Sequence, residues 1–141
     1  LSCCTPRTNS ATPATAPVMP VASMGSRTSL LLSPWPLSIL TCAAPYAPRV
    51  GQPLAGDLLQ RRIHRVLAIA RAFDYSALVL GAWGCGAFAN DPERTARDFH
   101  AALLQLAGGF SQVVFAIADW SVQRAFLTPF TAELSDGTIQ S

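Results

Sequence analysis

Two runs of apolar residues without alternation bracket a segment that carries helix caps. They are Ser76-Ala-Leu-Val-Leu-Gly81 and Phe110-Ser-Gln-Val-Val-Phe-Ala-Ile-Ala118. An unalternating run predicts a strand covered on both faces, as in a parallel sheet. Asp91-Pro92-Glu93 opens the helix between them: Asp91 suits the N-cap, Pro92 the first helical position, and Glu93 the positive end of the dipole. That helix runs through Phe99, Leu103 and Leu106 to Gly108-Gly109. Upstream, Leu58, Leu59, Ile63, Val66, Leu67, Ala70 and Phe73 recur at three- and four-residue steps and predict a helix over 57–73. Asp57 and Gln60 have the spacing of a variant capping box at its start. Leu37–Cys42 reads as a further short strand, closed by Ala44-Pro45, and Pro45–Gly56 as a loop. Ser121 is placed to cap a short helix that Pro129 interrupts. The order strand, helix, strand, helix, strand, short helix specifies an α/β domain with a largely parallel sheet. Such sheets bind ligands at the carboxyl ends of their strands.

This pattern occupies only part of the 141 residues. All eight acids lie at or after Asp57, and nine of the eleven prolines at or before Pro53. Residues 1–33, rich in Ser, Thr, Ala and Pro, have no periodicity and are expected to be disordered. A shifted or truncated reading frame is a second account of that segment. The expected folded part is 34–132, with 133–141 a tail. No basic and apolar leader opens the chain, and Leu30–Leu40 is broken by Pro34 and Pro36, so a cytoplasmic protein without a membrane span is expected. Cys3, Cys4, Cys42 and Cys85 have no metal-ligand spacing to one another or to His64 and His100. Reduced thiols and no metal are expected. The net charge of +2 gives no expectation of nucleic-acid binding. Arg61, Arg62, Arg65 and Arg71 fall mostly off the apolar stripe and read as a solvated face rather than a phosphate-binding one.

The loop Gly81-Ala-Trp-Gly-Cys-Gly-Ala-Phe-Ala-Asn90 follows a strand and leads to a helix. Gly81, Gly84 and Gly86 permit positive φ and close approach of a ligand. Successive backbone N–H groups in such a loop form a nest for an anion, to which the helix opening at Asp91 would add its dipole. Phosphate or diphosphate is the natural guest. A lysine-dependent phosphate loop is excluded, because the chain contains no lysine. Gly84-Cys-Gly86-Ala-Phe-Ala89 matches the dinucleotide pattern G-x-G-x-x-A, but the caps start the helix only at Asp91. The next strand-end acid, Asp119, lies thirty residues past Ala89 where roughly 20 is usual. Trp83 is expected to pack beneath the loop. Phe88 either packs there or stacks on a ligand. Cys85 has no neighbouring His or acid in sequence to activate it and reads as a small residue in a tight loop.

Leu78–Pro92 and Phe110–Ile117 closely resemble the microbial-type poly(ADP-ribose) glycohydrolase catalytic domain, a divergent macrodomain family. Ile39-Leu-Thr-Cys-Ala-Ala-Pro45 is similar to the family's strand and small-Pro-Ala-Pro-Asn turn, with Tyr46 where the family has Asn. The resemblance covers about 34–132. It implies a macrodomain-like mixed or parallel sheet flanked by helices, of which this chain would hold the C-terminal portion. It further implies that Gly81, Trp83, Gly84, Cys85, Gly86, Ala87, Phe88 and Asn90 surround ADP-ribose, with Thr41 to Pro45 along the same cleft. The family's Gln-Glu-Glu motif, whose glutamate works as general acid/base at the glycosidic bond, has no counterpart here. The only glutamates are Glu93 and Glu133. The expectation is an ADP-ribose-binding portion of a glycohydrolase, inactive alone, with no cofactor and with ADP-ribose or ADP-ribosylated protein as partner. A non-catalytic nucleotide-binding module and a truncated product without function are the alternatives.

Overall fold

The computed structural model describes residues 4–7, 37–106 and 109–134. Contacts divide the chain into two units, Leu1–Thr41 and Cys42–Ser141. In the first, strand β1 (Cys4–Arg7) pairs with β2 (Ile39–Cys42), which leads into the second unit. β1 thus gives regular structure to four residues of the segment expected to be disordered. The remainder of 1–33, and 135–141 of the expected tail, lie outside the described residues.

The second unit holds α1 (Ala47–Val50), α2 (Leu54–Ala72), β3 (Ala77–Leu80), α3 (Pro92–Gln105), β4 (Gln112–Phe115) and α4 (Leu127–Leu134). β3 and β4 are parallel, in register from Ala77↔Gln112 to Leu80↔Phe115, with α3 as their crossover. The unit is therefore a mixed α/β fold with a small parallel sheet flanked by helices, as the alternation of sequence patterns specifies. Leu59, Ile63 and Leu67 of α2 meet Ala96, Phe99, Ala102 and Leu103 of α3, and Phe130 of α4 closes the cluster. Phe99 contacts Phe115 edge to face at 5.3 Å, and Phe115 lies 5.4 Å from Phe130. Each fully buried Leu, Ile or Phe of this kind contributes about 1.5–3 kcal/mol from burial. No helix among the described residues is long and apolar enough to cross a membrane.

Four local expectations are corrected. First, the sheet is not covered on both faces. Leu78, Leu80, Val113 and Phe115 pack on the core, but Val79 is 75% exposed and Ala77 is exposed as well. Helices α2, α3 and α4 pack into one cluster, and Val79 is left open to solvent. Second, α2 begins at Leu54, so Asp57 does not cap it. The N–H groups of Ala55 and Gly56 are taken by Gly51 O at 2.9 Å and Gln52 Oε1 at 3.3 Å. Asp57 instead pairs with Arg94 of α3, whose guanidinium lies where a Cβ on Gly56 would be. Third, the stretch read as a loop contains α1, with Pro48 in its first turn, where a missing N–H costs nothing. Fourth, Pro129 does not interrupt α4. It occupies the first turn, where no donor is needed. Ser121 accepts from Ala125 N at 2.9 Å in a turn before α4, while Asp119 Oδ2 accepts from Phe126 N at 2.7 Å and Leu127 N at 2.9 Å.

Candidate functional site

The glycine loop leaves the carboxyl end of β3 and reaches α3 at Pro92. Inside it, Trp83 N donates to Gly81 O at 2.7 Å, Cys85 N to Ala82 O at 3.1 Å, Ala89 N to Gly86 O at 2.9 Å and Asn90 N to Gly84 O at 3.0 Å. These bonds fold the loop into consecutive tight turns. They leave the N–H groups of Gly84, Gly86, Ala87 and Phe88 without an acceptor among the described residues. Three of the four are consecutive and lie on an exposed segment, 86–88. Adjacent unpaired N–H groups concentrate partial positive charge and favour an anion.

Of the three loop glycines, only Gly84 uses positive φ, at 77°. A Cβ there would lie 2.8 Å from both Ala44 Cβ and Asn90 Nδ2. A Cβ on Gly86 would find nothing within 4 Å, so this glycine contributes open space above the turn. A Cβ on Gly81 would meet Ala116 O at 3.4 Å, an ordinary contact.

Asn90 is 3% exposed, and its Nδ2 donates to Pro45 O at 2.9 Å and Gly84 O at 3.0 Å. That orientation leaves Oδ1 buried and without a hydrogen-bond donor among the described residues. A second tie joins the same segments: Ala47 N donates to Phe88 O at 2.9 Å. Arg62 of α2 donates to Ala43 O at 2.8 Å, so one of the arginines read as solvated supports this turn. Asn90 thus organises the loop from beneath. Nothing in its local sequence foretells this, because Pro45 is 45 residues away.

The remaining residues divide by exposure. Cys85 is buried, with Sγ 3.8 Å from Trp83 O. Burial pushes its thiol pKa up, opposed by a hydrogen bond with Thr95 and reinforced by the Asp91 charge. A protonated, buried thiol is a poor nucleophile. Trp83 packs half-buried against the core cluster, as expected. Phe88 does not pack beneath the loop: it is 43% exposed, edge to face with Tyr46 at 6.1 Å. Ala87 is exposed. Thr41 lies exposed on β2, in the first unit.

The N-terminal end of α3 is already occupied. Asp91 Oδ1 accepts from Glu93 N at 3.0 Å, so a carboxylate of the chain itself takes the helix dipole expected to help hold an anion. The helix starts six residues beyond Gly86, which removes the dinucleotide-fingerprint geometry, where the glycines open the helix. Among the described residues no three His, Cys, Asp or Glu side chains are grouped to hold a metal ion.

Solved structures share this fold. The poly(ADP-ribose) glycohydrolase from Deinococcus radiodurans in complex with ADP-ribose superimposes with a TM-score of 0.71 at 40% identity, over 77% of this chain and 46% of that one. The matched part of the chain is similar in sequence and in fold to the microbial poly(ADP-ribose) glycohydrolases. The apo form of the same glycohydrolase gives a TM-score of 0.69 at 41% identity, over 76% of this chain and 47% of that one. The glycohydrolase from Thermomonospora curvata gives 0.69 at 38% identity, over 74% and 41%. The chain therefore spans about half the length of these glycohydrolases. No protein-family model and no curated protein sequence matches it.

Proposed function

We propose that this chain is an ADP-ribose-binding portion of a glycohydrolase-type fold, with Gly84–Phe88 as its diphosphate cradle. One observation carries the reading: the N–H groups of Gly86, Ala87 and Phe88 are consecutive, belong to exposed residues and are unpaired among the described residues. The Deinococcus relative in complex with ADP-ribose supports the choice of guest. Gly81 and Trp83 shape the base of the loop, Cys85 and Asn90 hold it from within, and Phe88 offers a half-exposed ring beside it. The partner is ADP-ribose or an ADP-ribosylated protein, met in the cytoplasm.

Hydrolysis is not expected of this chain alone. Glu93 sits in the first turn of α3, 4.0 Å from Arg97, and Glu133 is 3.7 Å from His100. Neither belongs to the loop, and no Gln-Glu-Glu exists in the sequence. The reading is therefore binding without turnover. The uncovered Val79 face favours a second reading, a product of low stability without function.

Calorimetry with ADP-ribose on the full chain tests the proposal. Heat of binding and a raised Tm are expected, and Gly86→Glu abolishes both, because a carboxylate above the cradle repels the diphosphate. A cooperatively folded chain with no heat at millimolar ADP-ribose overturns it. Absence of a cooperative melt supports the second reading. Release of ADP-ribose from modified protein would overturn the claim of inactivity.

A further inference from the structure

Tyr46 and Phe88 come from segments far apart in sequence, and both rings remain about half exposed, at 48% and 43%. Their mutual position is fixed by backbone rather than by burial. On one side of Tyr46, Pro45 O accepts from Asn90 Nδ2 at 2.9 Å. On the other, Ala47 N donates to Phe88 O at 2.9 Å. The rings meet at 6.1 Å with planes 82° apart. The N–H of Phe88 is the last of the three consecutive unpaired donors, so the ring pair rises directly beside the anion cradle.

An edge-to-face pair held by such ties does not collapse onto the core. It presents apolar surface to solvent, a cost that a ligand with a ring of its own would offset. Resting on the diphosphate reading above, we infer that Tyr46 is a positioning residue that holds the Phe88 ring as a wall for the nucleoside or sugar ring of the ligand. The cradle alone then recognises diphosphate. The Tyr46–Phe88 wall distinguishes a diphosphate that carries rings from a bare one. The hydroxyl of Tyr46 is not required, since the contact is between ring and ring.

The test titrates the full chain with ADP-ribose and, separately, with inorganic pyrophosphate. Tyr46→Ala is expected to weaken ADP-ribose about tenfold, the size of one lost aromatic stacking contact, and to leave pyrophosphate within about twofold. Tyr46→Phe should restore ADP-ribose binding to the unmodified level. Phe88→Leu, which leaves Tyr46 in place, should reproduce the selective loss. Equal loss of both ligands in Tyr46→Ala would mean a general disturbance of the loop and would overturn the inference, as would no loss of ADP-ribose in either variant. If the unmodified chain binds neither ligand, the diphosphate reading itself fails and this inference with it.

Discussion

The side-chain amide of Asn90 donates to the carbonyl oxygen of Pro45 across 2.9 Å and 45 residues of sequence. The same nitrogen holds Gly84 O at 3.0 Å, so one buried group fastens the turn after β2 to the loop after β3. Asn90→Ala would strand the buried carbonyl of Pro45, whereas Gly84 O would keep the backbone N–H of residue 90. It is expected to cost about 1–3 kcal/mol in urea unfolding, the penalty of one unsatisfied buried group. Hydrogen exchange at Ala47, whose N–H bonds Phe88 O, should accelerate in the same variant. Unchanged stability and unchanged exchange would remove the fastening role.

The loop's backbone geometry makes opposite forecasts at three neighbouring positions. Gly84→Ala meets both positive φ and contacts at 2.8 Å, and should destabilise by about 2 kcal/mol or more. Gly86→Ala meets open space and should stay within about 0.5 kcal/mol. Ala89 adopts φ 51°, a conformation that an alanine resists. Ala89→Gly should therefore raise stability, by up to about 1 kcal/mol. Thermal melts of the three variants give the ranking directly.

Asp98 lies between α2 and α3, accepting from Gln60 Nε2 at 3.1 Å and facing Arg94 Nε at 3.7 Å. Burial pushes its carboxyl pKa up. The charges of Arg94, Arg97 and His64 and the Gln60 bond oppose that shift without cancelling it. A folded-state value above the unfolded one means that the folded protein binds this proton more tightly. The resulting contribution is fully present below the ordinary value of 3.8 and is lost as pH rises through the raised one. Asp98→Asn keeps the Gln60 bond and should remove this component from a pH series of chemical melts. Asp98→Ala should cost about 1–3 kcal/mol at neutral pH by leaving Gln60 without its acceptor.

Asp119 behaves in the opposite sense. The Ser121 hydroxyl, aided by the N–H groups of Leu127, Ser121 and Phe126, holds its carboxyl well below the usual range. Its contribution is present above the unfolded value of 3.8 and declines as pH falls below it. Asp119→Asn should lower Tm at neutral pH, and the gap to the unmodified chain should narrow in acid. A gap independent of pH would show that the charge does not matter to this turn.

The elements differ in how far they are legible in the sequence. Asp91, Pro92 and Glu93 mark the start of α3 because a cap acts within one turn. The stripe Leu59, Ile63, Leu67 and Ala70 is the buried face of α2, because a helix needs one face against a core whatever the core contains. The start of α2 is not legible, because Asp57 has a partner on another helix, Arg94, and the Gln52 side chain, ahead of the helix, accepts from Gly56 N instead. Asp119 has the position of a strand-end acid, yet it is the acceptor for the amides that open α4.

The sequence by itself determined the alternation of strands and helices, the parallel crossover and the glycine loop as a source of unpaired amides. Those features depend on local periodicity, caps and backbone freedom. Only the tertiary structure decided that one sheet face is uncovered, that Asn90 works from beneath the loop and that Phe88 turns outward onto Tyr46. Each of these depends on a contact between distant segments, and side-chain type alone does not specify its partner.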